Sequence, residues 1–257
     1  MLVRTDQLLL KDHLAPITSS LGFIEGETSR TVEVFIGWQK EVQKKGSLAQ
    51  FLLSNARSHN ISGNLEQIFR SLLPLQKIGA SRFLFIPTRT GWTAFVDNGY
   101  RGTDPAAIAH LANLLKSRSV WIVSIPHPLQ NAGVPRKGRQ GALIFEVYGH
   151  TRTHWLNLIR SIRLENDAGE WQFEQSGEPL PFEQARRYFD FDLMKRYLQE
   201  LGLTPFEENF YLPDSNGAIL VEINKPWKAE NVSLEEARRL NGIDDSPVSP
   251  RGKEASS

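Results

Sequence analysis

Apolar positions along the chain recur with two spacings. RFLFIP at 82–87 and WTAFVD at 92–97 have the length and residue types of strands, and the polar TRTG between them carries Gly91, which can take positive φ; together they predict a β-hairpin. SVWIVSIP at 119–126 is almost wholly apolar and predicts a strand covered on both faces. GALIFEVYG at 141–149, WLNLIRSIRLEND at 155–167 and AGEWQFEQSG at 168–177 predict an antiparallel meander with a turn at 166–169, and a last strand is predicted at 218–223. TVEVFIGW at 31–38 is β-branched and aromatic and predicts a further strand, followed by a solvated connection through Lys40, Lys44 and Lys45.

Helical spacing marks other stretches. Leu8, Leu9, Leu10 and Leu14 suit one buried face of a short helix over 5–14 that Pro16 stops. Residues 47–59 and 64–76 predict two helices, through Leu48, Phe51 and Leu52 and then Leu65, Ile68, Phe69 and Leu72. Thr103 or Asp104 can cap a helix that opens on Pro105, buries Ile108, Leu111, Ala112 and Leu115, and ends near the basic residues Lys116 and Arg118. Residues 181–202 predict a helix with Phe189, Leu193, Tyr197, Leu198 and Leu201 on one stripe, stopped by Gly202. The sum is an α+β chain: a mainly antiparallel sheet of six to eight strands, helices packed on one face, and an N-terminal helical region. Residues 1–226 form a single domain in this reading, and 227–257 a polar, disordered tail holding one brief helix in SLEEARRL.

Composition narrows the function classes more than it selects one. With 257 residues and 40% hydrophobic content a full core can be built, and a formal net charge of +1 provides no large field for nucleic acid or anionic lipid. The chain has no cysteine, which excludes disulfides, thiolate nucleophiles and cysteine-ligated metals. The start lacks the long apolar stretch of a secretory signal, and no window reaches the roughly 18 apolar residues of a transmembrane helix, so a cytoplasmic protein without a membrane partner is expected.

Chemistry concentrates around FVDNGYRGTD. Asp97, Asn98, Arg101 and Asp104 stand between a strand and a helix N-terminus, where turn and cap formation already call for these residue types. Trp92, beside a turn, and Tyr100, inside one, are expected to be exposed, and Trp, Tyr and Arg are the types that carry binding energy at interfaces. A protein-contact surface is therefore expected at Trp92, Asp97, Asn98, Tyr100, Arg101 and Asp104. Neither GxxxxGK[ST] nor GxGxxG occurs here. His150 and His154 share a four-residue spacing, but Gly149 argues for a turn there, and no metal or other cofactor is expected. The paired acids Asp190 and Asp192, and Glu207 and Glu208, read as solvated faces. Arg136, Lys137 and Arg139 with Arg160 and Arg163 could form a basic patch, but no aromatic interleaving or known module supports nucleic-acid binding. An alternative from another class is a hydrolase or transferase in which Asp97, Asp104, His110 and His127 converge at the sheet edge.

SLLPLQ, RFLFIPTRTGWTAFVDNGYRGTD and GEWQFEQSGEPLPFE resemble a group of uncharacterised bacterial proteins that join an FxPTxxGWTAFxDNG hairpin to a later WxFxxxGxPxPFE segment. The resemblance spans about residues 65–212 and brings no catalytic residue with it. It points toward immunity proteins of bacterial toxin systems, and so implies a cognate protein toxin as partner.

Overall fold

The computed structural model describes residues 3–44, 56–127, 139–150, 157–167, 169–183, 188–213, 217–224 and 229–243. Its centre is a nine-stranded sheet in which every neighbouring pair is antiparallel. In chain order the strands are β1 (Ser20–Glu25), β2 (Ala56–Ile61), β4 (Arg82–Pro87), β5 (Trp92–Asp97), β6 (Ser119–Ile125), β7 (Ala142–Tyr148), β8 (Leu158–Asp167), β9 (Glu170–Gly177) and β10 (Ala218–Ile223). Across the sheet they run β2-β10-β4-β5-β1-β6-β7-β8-β9. A small second sheet pairs β3 (Leu75–Gln76) with β11 (Asn231–Val232). The helices are α1 (Thr28–Lys44), α2 (Leu65–Arg70), α3 (Pro105–Leu115), α4 (Phe191–Glu200) and α5 (Leu234–Leu240).

The predicted hairpin is β4–β5, with Phe85 opposite Phe95 and Gly91 at φ +80° in the turn, and the predicted meander is β7–β8–β9. Helix α3 forms as its cap signals require: the Asp104 carboxylate accepts the N–H of Ala106 at 2.8 Å, Pro105 opens the first turn, and Lys116 closes the helix in a left-handed conformation.

Helices cover both faces of the sheet, not one. α1 and α3 lie on the face that presents Phe83, Phe85, Phe95 and Ile24, whereas α2, α4 and α5 join the N-terminal turns on the face that presents Leu84, Ile86, Ala94 and Val96. Strict alternation along β4 and β5 sends neighbouring apolar residues to opposite sides, so two cores are needed. The all-apolar run at 119–126 already called for cover on both faces, which helices on one face alone could not supply.

Other expectations change for local reasons. Residues 31–38 belong to α1, not to a strand: Thr31, Val32 and Phe35 are buried and Ile36 and Trp38 half-buried, which is helical spacing hidden by β-favouring residue types. The strand lies just before it, in SLGFIE, which Gly22 disguises. A side chain at Gly22 would stand 2.3 Å from the Ile108 Cδ1, so glycine is what lets α3 lie directly on β1. Residues 5–14 form 3₁₀ turns, with Leu10, Lys11 and Asp12 at φ of 51°, 52° and 66° in place of an α-helix. Of the helix expected over 47–59, positions 56–59 lie in β2, and the rest falls outside the described residues. The helix expected over 181–202 is confined to α4 among the described residues, with Asp190 as its cap, its carboxylate accepting the N–H of Leu193 at 2.7 Å.

The expected disordered tail is corrected over residues 229–243 alone; the rest of 227–257 lies outside the described residues. Residues 229–243 pack onto the domain: Val232 and Ala237 are buried, and the Arg238 guanidinium donates to the carbonyls of Asp12, His13 and Ala15. Polar composition hid this segment because its apolar contribution is so small.

Two outcomes follow from the α1 face. Phe35 is fully buried, with ring centroids 4.8 Å from Phe83, 5.2 Å from Phe85 and 5.9 Å from Phe95. Phe35→Ala is expected to cost about 3–5 kcal/mol in urea unfolding. His110 packs against Trp38 with ring centroids 4.5 Å apart, and burial lowers its pKa from the ordinary 6.5. The unfolded chain then binds the extra proton below that value, so stability is expected to fall as pH drops through about 6.5 toward the lower folded pKa. Denaturant titrations at pH 7.5 and 5.5 should show that loss in the wild type and a smaller one in His110→Phe.

Candidate functional site

The corner after β5 is built inward. Asp97 and Asn98 are buried, at 3% and 0% exposure. The Asp97 carboxylate accepts the N–H of Gly99 at 2.8 Å and of Asp104 at 3.1 Å. The Asn98 side-chain oxygen accepts the N–H groups of Ser81 and Arg82, and its amide donates to the Pro74 carbonyl at 2.9 Å. Both side chains bind backbone groups that the strand ladder leaves over. Trp92 is 4% exposed, because its place in β5 turns it into the core instead of toward the turn. Three of the six expected contact residues are therefore unavailable to a partner.

The other three lie at the surface. Asp104 is exposed and caps α3, Tyr100 is half-buried against the core, and Arg101 is exposed with its guanidinium carbon 5.3 Å from the centre of the Tyr100 ring. The Tyr100 carbonyl accepts the side-chain amide of Asn241 at 2.8 Å, which ties this corner to the end of α5. Gly102 follows at φ +101°, where an added Cβ would stand 2.4 Å from the Ser20 hydroxyl; the loop can turn here only without a side chain.

Two adjoining clefts open around Arg101. The first, of about 530 Å³, is bounded by Pro16 and Ser19, by Arg101 and Arg139, and by Arg239 to Ile243 at the end of α5. The second, of about 390 Å³, has an apolar floor of Trp121, Val123, Ala142 and Ile144 on the α3 side of the sheet, with Thr103, Asp104 and Glu165 at its rim. Ser19, Arg101 and Ile125 line both. Trp121 is held in place by its indole N–H, which donates to the Thr103 carbonyl at 3.0 Å, and the Thr103 N–H donates to the Ser20 hydroxyl at 2.6 Å.

Among the described residues, the charged side chains that line the first cleft are all cationic. Arg139 is buried, paired with both oxygens of Asp12, and donates to the Ser19 hydroxyl at 2.7 Å. Arg101 and Arg239 are exposed, and among the described residues no carboxylate pairs with either. The carbonyls that end α5 do little to offset them, because Asn241, Gly242 and Ile243 N–H groups donate to the oxygens of Ala237, Arg238 and Arg239. Leu240, 46% exposed, stands at the lip.

The basic patch expected at positions 136–163 is dispersed. Arg160 is buried against Glu183 on one face of the sheet, at 2.7 Å. Arg163 pairs at 2.7 Å with buried Glu146, which also accepts the Ser161 hydroxyl at 2.9 Å and the Tyr148 phenol. Burial and the Glu146 carboxylate push the Tyr148 phenol above its usual range. Arg139 is the cleft residue just described, and Arg136 and Lys137 lie outside the described residues.

The alternative acid–histidine site does not assemble. His110 packs against Trp38 on the α1 side of the sheet, while His127 packs on Trp171 at 5.3 Å in a small apolar pocket on the opposite side, with Leu143 and Phe189. His150 contacts Asn113 at 2.8 Å, and His154 lies outside the described residues. Among the described residues no group of three His, Asp or Glu is placed to hold a metal ion, and no helix is long and apolar enough to cross a membrane.

Sequence reasoning found Arg101 and missed Arg239, Ser19 and the role of Trp121. The pair of basic residues in LEEARRL carried a signal, since a helix anchored through Arg238 must turn Arg239 about 100° away. Asp12→Ala would leave Arg139 buried without its counter-charge and is expected to cost about 3–5 kcal/mol in thermal or urea unfolding, with Asp12→Leu/Arg139→Met recovering most of it. The chain matches no protein-family model, no curated protein and no solved structure.

Proposed function

We propose that this chain is a protein-binding factor of the immunity type, which neutralises a cognate toxin in the cytoplasm by docking it over the two clefts around Arg101. One observation carries the binding reading: two exposed arginines, Arg101 and Arg239, line one cleft without carboxylate partners among the described residues, beside an aromatic-floored cleft and exposed Leu240. Arginine and aromatic anchors next to a partly apolar lip are the residue types that dominate interface energetics. The immunity assignment draws on the resemblance carried by residues 65–212.

The contact surface is centred on Arg101, Arg239 and Tyr100, with Asp104 at its edge and Trp121, 9% exposed, reached only through the second cleft. Asp97 and Asn98 support it from below, whereas Trp92 lies at the other end of β5 and takes no part in it. Tagged wild-type protein is expected to retain a specific partner from its native host, and co-expression should relieve the growth arrest that this partner causes alone. Arg101→Glu/Arg239→Glu, both surface positions, is expected to lose capture and protection with an unchanged unfolding midpoint. Full protection by that variant would exclude this surface.

A further inference from the structure

The two clefts differ in charge and polarity and meet at Arg101, which restricts what can dock there. Arg101 and Arg239 line the first cleft together with buried Arg139, whose pairing with Asp12 and Ser19 uses only some of its N–H donors. In the adjoining cleft, Trp121, Val123 and Ile144 provide an apolar floor. Two carboxylates, Asp104 and Glu165, line this second cleft as well; the first accepts a hydrogen bond from the Ala106 N–H, and the second lies 3.6 Å from Arg163. A cleft lined by cations thus adjoins one lined by apolar and acidic groups, the two sharing Ser19, Arg101 and Ile125.

We infer that the partner contributes a peptide segment in which an acidic side chain lies beside an aromatic or large aliphatic one. This rests on the protein-binding reading above and names the chemistry the partner must present. The acid enters the first cleft, whose lining supplies Arg101, Arg239 and Arg139. The apolar side chain lies on Trp121. The reverse placement would bring the acid against Asp104 and Glu165, where like charges repel it, so the segment docks in one orientation. A bare anion gains only the first half of these contacts. An apolar peptide gains only the second. The anchored walls favour binding as well, because Arg238 and Asn241 already fix the end of α5 to the N-terminal turns and to Tyr100.

The test is titration of the full chain, by amide NMR shifts or tryptophan fluorescence, with an acetylated and amidated tetrapeptide of sequence phenylalanine–glycine–glutamate–glutamate. Comparison probes are the same peptide with lysine for both glutamates, the same peptide with alanine for phenylalanine, and inorganic phosphate. Saturable binding is expected for the first, at least tenfold weaker for each of the others. Raising sodium chloride from 50 to 300 mM should weaken it several-fold, and Arg101→Glu/Arg239→Glu should abolish it. Equal binding of the lysine peptide or of phosphate would overturn the inference, as would an unchanged affinity in the double variant. The outcome separates from the parent reading: peptide binding without a captured host protein would leave the cleft chemistry intact and sink the immunity role. Capture that survives the charge reversal would sink the cleft.

Discussion

A sheet whose middle strands are buried on both faces is the constraint on which the remaining structure depends. β4, β5, β1 and β6 have almost no exposed residue on either side, so every backbone N–H and C=O in them must be paired and every outward side chain must meet a covering layer. This demand explains the insertion of β1 between β5 and β6, remote in sequence from β6, and the close seating of α3 over Gly22. It also explains the inward corner at Asp97 and Asn98. Where β5 leaves the sheet its backbone groups lose their ladder partners, and two short polar side chains replace them.

The second layer is made from pieces that would not fold alone. The N-terminal turns, α2, α4 and the short α5 share one core beneath the sheet, joined by contacts between distant parts of the chain. Arg139 to Asp12 and Arg238 to the carbonyls of Asp12, His13 and Ala15 are the polar fasteners. Left-handed conformations at Leu10, Lys11 and Asp12 cost on the order of 1–3 kcal/mol each and persist because these fasteners hold the turn. The same fasteners place Arg239 and Arg139 at the wall and floor of a cleft whose other side is Arg101. Site and scaffold are therefore one arrangement: the charges that close the fold also preorganise the surface proposed to bind.

Elements with local signals were legible. The β4–β5 hairpin, the β7–β9 meander and α3 each pair a clear periodicity with turn or cap residues at the right offsets. Elements whose local signals conflict with their environment were not. TVEVFIGW has the residues of a strand and the spacing of a helix, and burial of Phe35 among three phenylalanines decides for the helix. Trp92 sits beside a turn in sequence, yet the face it occupies in β5 buries it. Of the expected contact residues, Arg101, Tyr100 and Asp104 keep their place at the surface, since a turn between a strand and a helix must reach solvent somewhere. The adjacent arginines of LEEARRL hinted at Arg239, but a polar segment does not reveal that the distant carbonyls of Asp12, His13 and Ala15 accept its neighbour's guanidinium.

By itself the amino-acid sequence determined what is local: where strands and helices can start and stop, that the chain is α+β with antiparallel pairing, and that FVDNGYRGTD is a turn followed by a helix cap. Periodicity, caps and turn residues act within a few positions, and such information survives in one dimension. Only the tertiary structure decided which helices cover each face of the sheet, that residues 229–243 belong to the fold, and that Arg101 and Arg239 line one cleft. Those outcomes depend on side chains more than a hundred positions apart sharing buried surface and charge, and no spacing along the chain encodes that proximity.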